Sequence, residues 1–106
     1  MNSPIIEQHW NDENGCPEGG QTFGDGFAIA WQRGPLGRGE NRKPANGAFV
    51  ENILKAARGR LEFYQASKFK CDYNQRAIDA IDVALVALHE RTANREDRKV
   101  EGTHAE

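Results

Sequence analysis

Two stretches of helical apolar periodicity, separated by a few residues, constrain the fold of this chain most strongly. Between Phe49 and Tyr64 the apolar side chains recur every three or four positions, which predicts a helix over 47–66 with Asn46 as its N-cap. A second helix is predicted from Asp72, which with Gln75 forms a cap pattern, to about residue 95. Its apolar seam comprises Ile78, Ile81, Leu85 and Leu88. A short turn between two such helices predicts an antiparallel hairpin.

The N-terminal part of the chain has a different character. Apolar and small residues alternate from Phe27 to Trp31, and this period of two predicts a strand. Glycine and proline between Gly34 and Gly39 predict a loop after it, whereas residues 1–25 are interpreted as irregular, with room for one short strand. The chain is thus predicted to be an α+β protein with one domain over 1–106. It comprises an irregular and β region over 1–45, the hairpin over 46–98 and a tail over 99–106.

Size and hydrophobicity favour self-association. A chain of 106 residues with 38% hydrophobic residues has only a modest core. Several apolar residues of the predicted hairpin lie outside the seam, namely Val50, Leu54, Val83, Val86 and Ala87. They are expected to be covered by further copies of the chain in a closed homo-oligomer, although the N-terminal region could instead fold back over them.

Charge and motif content narrow the partners and the chemistry. The net charge of −2 disfavours a nucleic acid polymer or an anionic membrane as partner. No apolar run is long enough to span a membrane and no signal peptide is evident, so a cytoplasmic location is expected. His9, His89 and His104 are far apart, and neither a metal set nor a nucleophile with its base has a recognisable spacing. The protein is therefore predicted to be no enzyme and to need no metal or cofactor.

Two clusters of arginine are candidate anion sites. Arg91, Arg95 and Arg98 fall on one side of a continuing helix, where they form either a solvated face or a site for an anion. Arg33 and Arg38 flank the glycines of the loop, which could present guanidinium and backbone N–H groups to a phosphate. The alternative for this loop is a flexible connection.

Tyr64 and Asn74 are predicted to lie at the turn end of the hairpin. A ring and an amide in this place could stack on a base and hydrogen-bond to it, or Tyr64 could be core and Asn74 a cap. Arg91 follows Asn74 by 17 positions, which corresponds to roughly 25 Å along a helix. If these residues share one pocket, that pocket lies between subunits.

A resemblance to a known family rests on a set of short segments. They are Trp31-Gln32-Arg33-Gly34-Pro35, Asn46-Gly47, Phe63-Tyr64-Gln65, Phe69-Lys70-Cys71, Asn74 with Ala77-Ile78, Arg91-Thr92, Arg95-Glu96, Arg98 and Val100-Glu101-Gly102-Thr103. In these segments, over about residues 26–104, the chain resembles the phage anti-Thoeris signal-sequestering proteins. Those proteins share a helical hairpin with the anti-CBASS cyclic-nucleotide sponges.

The resemblance implies a fold, an assembly and an activity. The fold is a small N-terminal antiparallel β region followed by a long antiparallel two-helix hairpin, assembled as a homohexamer. The activity is non-catalytic sequestration of glycocyclic ADP-ribose, the signal of the Thoeris system, and for some members of cyclic di- or trinucleotides of the CBASS system. Such a sponge would act in the host cytoplasm.

The resemblance also implies the binding residues. Tyr64 corresponds to the base-contacting aromatic residue, Asn74 to its polar partner and Arg91 to a phosphate-binding arginine. The full predicted ligand-binding set adds Trp31, Arg33, Arg38, Arg95, Arg98 and Thr103. Asp72-Tyr73 stand where the family commonly has Arg-Glu, so the choice of ligand stays open. The alternatives are an oligomeric structural or protein-interaction hairpin without a nucleotide ligand, and an enzyme that degrades the signal.

Overall fold

The computed structural model describes residues 4–99 and Thr103. Three strands, a short 3₁₀ helix over Gly39–Asn41 and two α-helices follow one another along the chain. The strands are β1 (Ile6–Asn11), β2 (Pro17–Gly24) and β3 (Phe27–Trp31), and the helices are α1 (Val50–Gln65) and α2 (Asp72–Asp97). The chain divides into two compact units, Met1–Phe49 with Lys99–Glu106, and Val50–Arg98. The α+β prediction is confirmed, while the single domain and the oligomer stay predictions. The predicted tail lies outside the described residues except for Lys99 and Thr103.

The first unit contains an antiparallel sheet in the order β1-β2-β3. The central strand β2 pairs with both neighbours, so that Thr22 faces Glu7 on one side and Ile29 on the other. The prediction of an irregular segment over 1–25 with at most one strand is wrong, because this segment supplies β1 and β2. Both strands are poor in the β-branched and aromatic residues that signal a strand, and hydrogen bonding to neighbours on both sides compensates β2 for its glycines.

The close approach of β1 explains why residue 20, in the middle of the central strand, is a glycine. Its φ is +137°, and a Cβ at this position would overlap the carbonyl oxygen of Gln8 on β1. Only glycine therefore allows β1 and β2 to approach each other here. The pairing of β1 is irregular between His9 and Asn11, just beyond this position.

A hydrogen bond between side chains joins β2 and β3. The indole Nε1 of Trp31 donates to Oγ1 of Thr22 at 2.8 Å. Thr22 is only 7% exposed and is the buried polar residue of the described part of the chain. The half-buried indole thus supplies the partner that a buried hydroxyl needs.

The segment after the loop runs along the end of β3 before the first helix starts. Ala48 forms a parallel bridge with Trp31, and Gly47 lies so close to the Trp31 carbonyl that a Cβ would overlap it. The side chain of Asn46 accepts from the N–H of Arg33 at 2.8 Å and donates to the Arg33 carbonyl at 3.2 Å. The prediction of Asn46 as an N-cap is therefore wrong. Its amide pairs with the backbone after β3, and α1 begins four residues later, at Val50.

The second unit is the predicted antiparallel hairpin of α1 and α2. Both helices are close to their predicted bounds. The members of the predicted seam that follow Ile78 on α2 are half-buried, as are Ile53, Leu54 and Leu61 on α1. Ile78, at 4% exposure, is the one buried hydrophobic residue in the described part of the chain. Within this unit the hydrophobic effect therefore stabilises one shallow seam, and most apolar side chains keep solvent contact.

The ends of α2 have local causes. Cys71 is its N-cap and makes no side-chain capping bond, so the predicted cap of Asp72 with Gln75 is wrong; Gln75 instead donates to Asp79 one turn later, at 2.9 Å. Asp72 still contributes a negative charge to the first turn, which favours the helix dipole. The helix ends where Lys99 adopts a left-handed conformation with φ of 59°.

Candidate ligand-binding site

The connection between the two helices holds their ends in a fixed relation. The hydroxyl of Ser67 donates to the carbonyl of Tyr64 at 2.6 Å and accepts from the N–H of Phe69 at 3.1 Å. The N–H of Cys71 donates to Oε1 of Gln65 at 3.0 Å. These bonds span the turn from α1 to α2, so the end of the hairpin is an ordered platform.

Tyr64 lies in the last turn of α1, half-buried, within an aromatic and cationic cluster. Its ring centroid lies 6.1 Å from that of Phe63, with the planes tilted by 58°. The guanidinium of Arg60 is 4.8 Å from the Phe63 centroid and 5.1 Å from that of Tyr64. The Arg60 Nε also donates to the Tyr64 hydroxyl at 3.3 Å. The three side chains constrain one another, and a constrained ring loses less entropy on stacking with a base.

Asn74 lies in the first turn of α2 and is also half-buried. Its Nδ2 donates to the carbonyl of Phe69 at 3.3 Å, which fixes the amide against the connection. Its Oδ1 accepts no hydrogen bond from any residue that the structure describes. The amide therefore closes the turn through its nitrogen and presents an acceptor oxygen, the atom that would recognise an amino group of a base.

The aromatic character of this end extends beyond Tyr64. Phe63, Phe69 and Tyr73 are 60%, 68% and 76% exposed. Arg60, Lys68 and Arg76 lie near these rings, the last at 5.8 Å from the Tyr73 centroid. These contacts hold the cationic side chains beside apolar rings at the surface.

The predicted arginine row lies at the other end of the hairpin. Arg58 on α1 pairs with Asp82 on the antiparallel helix α2. Val50, the first residue of α1, precedes Arg58 by eight positions, so it lies opposite Glu90, which follows Asp82 by eight positions. From Arg91 onward, α2 has no residue of α1 beside it. Arg91 and Tyr64 are therefore at opposite ends of one hairpin.

The three arginines of this row differ in their surroundings. Arg91 is exposed and makes no side-chain hydrogen bond or ion pair with any described residue. Arg95 is half-buried, and the Nε of Arg98 donates to Oδ1 of Asn94 at 3.1 Å. Arg91 is thus the member whose guanidinium is least engaged by the second unit.

Four further predicted site residues belong to the first unit. Trp31 uses its indole N–H for Thr22, so that donor is engaged within the sheet. The guanidinium carbon of Arg33 lies 6.0 Å from the Trp10 ring centroid. Arg38 precedes the 3₁₀ helix and its carbonyl accepts from the N–H of Asn41 at 3.1 Å, while Thr103 is half-buried. The other five predicted site residues belong to the second unit.

The loop after β3 borders a cavity. The N–H of Lys43 donates to the carbonyl of Leu36 at 2.7 Å and closes the loop on itself. A cavity of 330 Å³ lies against this loop. Its walls are Asp12, Glu18, Gln32, Arg33, Gly34, Pro35, Leu36, Lys43, Pro44 and Asn46. Two carboxylates accompany the two cations, so the cavity is mixed in charge and is not a simple phosphate cradle.

Comparison with known proteins identifies the family. No family model matches the chain. Among curated proteins, "Thoeris anti-defense 1" of Bacillus phage SBSphiJ7 is 36% identical over 107 residues, which is 96% of this chain and 72% of that protein. The chain belongs to the Thoeris anti-defense 1 family. The resemblance predicted from the short segments is thereby confirmed. The match extends beyond residues 26–104, so it includes most of strands β1 and β2 as well.

Sequence reasoning missed one residue at the turn end of this Thoeris anti-defense 1 family member. Arg60 has alanine at the positions three and four residues before it, and Phe63 and Tyr64 three and four residues after it. Side chains at these spacings lie beside one another on a helix, so the guanidinium meets rings and no carboxylate. The spacing itself was the signal that could have found this contact.

The described residues show neither a membrane-spanning helix nor a metal-binding cluster. Within residues 4–99 and Thr103, no helix combines the length and the apolarity needed to cross a membrane. The same residues contain no group of three histidine, cysteine, aspartate or glutamate side chains that could hold a metal ion. Cys16 is a half-buried free thiol and Cys71 an exposed one.

Proposed function

We propose that this protein is a non-catalytic sponge, which binds glycocyclic ADP-ribose and keeps that signal from its effector in the Thoeris defence. The observation that carries the proposal is the family membership, since the relative that matches 96% of the chain is named for anti-defence against Thoeris. The turn end of the hairpin supports a binding function, because it combines a constrained ring, a fixed amide and cations. The protein acts in the host cytoplasm, where the signal is made.

In this proposal each predicted residue has a chemical role. The ring of Tyr64 stacks on the base of the signal, and the Oδ1 of Asn74 accepts a hydrogen bond from an amino group of that base. Arg91 binds a phosphate through its guanidinium fork. Its exposed side chain, which has no ion pair or side-chain hydrogen bond with any described residue, supports this role.

The distance between Asn74 and Arg91 along α2 requires two subunits to form the site. Asn74 and Arg91 are 17 residues apart in one continuous helix, which is roughly 25 Å. One molecule of glycocyclic ADP-ribose is too small to contact both residues in one hairpin. We therefore propose that Arg91 comes from a second subunit packed antiparallel, in a homohexamer of the kind that the resemblance implies.

The exposed apolar side chains support self-association. Val50, Val83 and Val86 are 50%, 72% and 56% exposed in the single chain. Monomeric proteins rarely leave so many large apolar side chains of two helices in water, and burial between copies would remove this surface from solvent.

A second ligand class remains part of the proposal. Some relatives in the resembling family hold cyclic di- or trinucleotides in a separate pocket, and the cavity beside Arg33 and Lys43 is the candidate for it here. Its carboxylates Asp12 and Glu18 oppose a polyanion, so we place this ligand second to glycocyclic ADP-ribose.

The competing function is an oligomeric structural or protein-interaction hairpin without a nucleotide. The same exposed valines favour it, because association alone would explain them. The two functions differ in their response to ligand. A sponge is stabilised by glycocyclic ADP-ribose at 100 times its dissociation constant by roughly 2.7 kcal/mol, whereas a structural hairpin keeps its melting temperature.

Titration calorimetry followed by recovery of the ligand tests the sponge. Wild type should bind glycocyclic ADP-ribose with a nanomolar dissociation constant, on the order of −12 kcal/mol. Heating the complex should then release the ligand with unchanged mass and chromatographic retention. Recovery of a cleaved or rearranged product would instead support an enzyme that degrades the signal.

A further inference from the structure

We propose that Arg60 is a ligand-contacting residue, whose terminal guanidinium nitrogens bind a phosphate of the nucleotide that stacks on Tyr64 of the same subunit. The inference rests on the proposed function and adds a second phosphate contact to the one assigned to Arg91. Its basis is the state of the Arg60 side chain, which is positioned by rings and has no carboxylate partner among residues 4–99 and Thr103.

Arg60 differs from its neighbour Arg58 in its contacts with carboxylates. Arg58 contacts Glu62 on α1 and donates to both carboxylate oxygens of Asp82 on α2, so its donors are engaged within the hairpin. Arg60 is two residues away, which turns it to a different side of α1. It forms no ion pair with any residue in the described part of the chain.

Arg60 uses only part of its hydrogen-bonding capacity within the described part of the chain. A guanidinium has five N–H donors, and the single donor on Nε is directed at the hydroxyl of Tyr64. The two terminal nitrogens carry the other four donors and have no acceptor among the described residues. A pair of such nitrogens matches two oxygens of one phosphate.

The guanidinium of Arg60 lies close to the ring on which the base would stack. The guanidinium carbon is 5.1 Å from the Tyr64 ring centroid, so the positive charge lies close to any base that stacks on this ring. Contacts with Phe63 and Tyr64 limit the freedom of a side chain that is otherwise costly to immobilise. The charge is thus positioned before the ligand arrives, and it comes from the subunit that supplies the ring.

The test compares four proteins in calorimetric titrations with glycocyclic ADP-ribose at several salt concentrations. The variants are Arg60→Ala, Arg60→Lys and the control Arg76→Ala. Arg76 is a matched control because it too is exposed, lies near a tyrosine ring and carries the same charge. Circular dichroism and native mass of each variant check that helix content and assembly are retained.

Arg60→Ala should weaken binding by about 10- to 100-fold, the loss typical of a charge-assisted hydrogen-bonded contact. It should also reduce the dependence of the dissociation constant on salt, because one ion contact is removed. Arg60→Lys should recover at least part of the affinity and the salt dependence. Arg76→Ala should remain within about threefold of wild type.

The contradicting results are separable. If Arg60 only positions the Tyr64 ring, Arg60→Ala weakens binding with unchanged salt dependence and lysine gives no rescue; this overturns the inference. Unchanged affinity of Arg60→Ala beside tight binding by wild type also overturns it and leaves the sponge standing. Wild type that binds no glycocyclic ADP-ribose overturns the proposed function, and the inference with it.

Discussion

Arg58 and Asp82 connect the two helices of the hairpin by a two-point contact. The Nε of Arg58 donates to Oδ1 of Asp82 at 2.6 Å, and a terminal nitrogen of Arg58 donates to Oδ2 at 3.1 Å. The hydrogen bond from Arg58 lowers the pKa of the Asp82 carboxyl, and the same hydrogen bond raises the pKa of Arg58. The pair thus favours its charged form and specifies how far α2 is shifted along α1.

Replacement of Asp82 by asparagine should destabilise the protein in a pH-dependent manner. The folded-state pKa of Asp82 is lowered, so its contribution is fully present above the unfolded pKa of about 4 and is lost as the pH falls through the folded value. Thermal denaturation should give Asp82→Asn a lower melting temperature than wild type at pH 7, and the difference should shrink below about pH 4.

Asp79→Asn is the control for this prediction. It removes the same charge from α2, at a side chain that accepts a hydrogen bond from Gln75 of its own helix. A melting difference of equal size in both variants at pH 7 would contradict a specific role of the pair.

Two glycines should respond to alanine in opposite directions. A Cβ on Gly47 would overlap the backbone of Trp31, whereas a Cβ on Gly59 would meet open space within α1. Gly47→Ala should therefore destabilise the fold by about 1–3 kcal/mol through overpacking. Gly59→Ala should stabilise it by about 0.5–1 kcal/mol through helix propensity. Urea denaturation measures both, and destabilisation by Gly59→Ala would show that this face of α1 is covered in the assembly.

Trp31→Phe should cost about 1–3 kcal/mol, because the buried hydroxyl of Thr22 loses its donor. Trp10→Phe is the control, since Trp10 is 47% exposed and no hydrogen bond of its indole is described. Equal unfolding free energies for the two variants would contradict a structural role of the Trp31 indole. Equal affinities of folded Trp31→Phe and wild type for ligand would contradict its predicted role in binding.

Tyr64 should act through its ring more than through its hydroxyl. Tyr64→Ala should weaken binding of glycocyclic ADP-ribose by about 1–3 kcal/mol, the usual contribution of base stacking on an aromatic side chain. Tyr64→Phe should retain most of the affinity, and Tyr73→Ala should serve as a control for a neighbouring exposed ring. Calorimetry gives all three values. Loss of binding in Tyr64→Phe would assign recognition to the hydroxyl instead.

The helices could be predicted from sequence because their signal is long and regular. The seam from Ile78 to Leu88 repeats at helical spacing over several turns, and burial of this seam is what stabilises the hairpin. Strands β1 and β2 gave no such signal. β2 contains Gly19 and Gly20, and its conformation depends on pairing with neighbours on both sides, which no local pattern reveals.

Sequence could place the predicted site residues along the hairpin, but it could not give their contacts. Helical spacing placed Tyr64 and Asn74 at one end of the hairpin and Arg91 at the other, as the structure has them. The orientation of the Asn74 amide depends on the carbonyl of Phe69, and the role of Asn46 depends on the backbone of Arg33. Such bonds arise from the course of the chain in the turn and the loop, where sequence periodicity gives no guidance.

The most direct test of the account is native mass spectrometry of the purified protein in the presence of glycocyclic ADP-ribose. We expect a hexamer that retains the ligand at its intact mass, and an Arg91→Ala hexamer that retains none. An oligomer that binds no glycocyclic ADP-ribose would contradict sequestration and favour the structural hairpin. A monomer that retains the ligand would contradict the proposal that the site is built from two subunits.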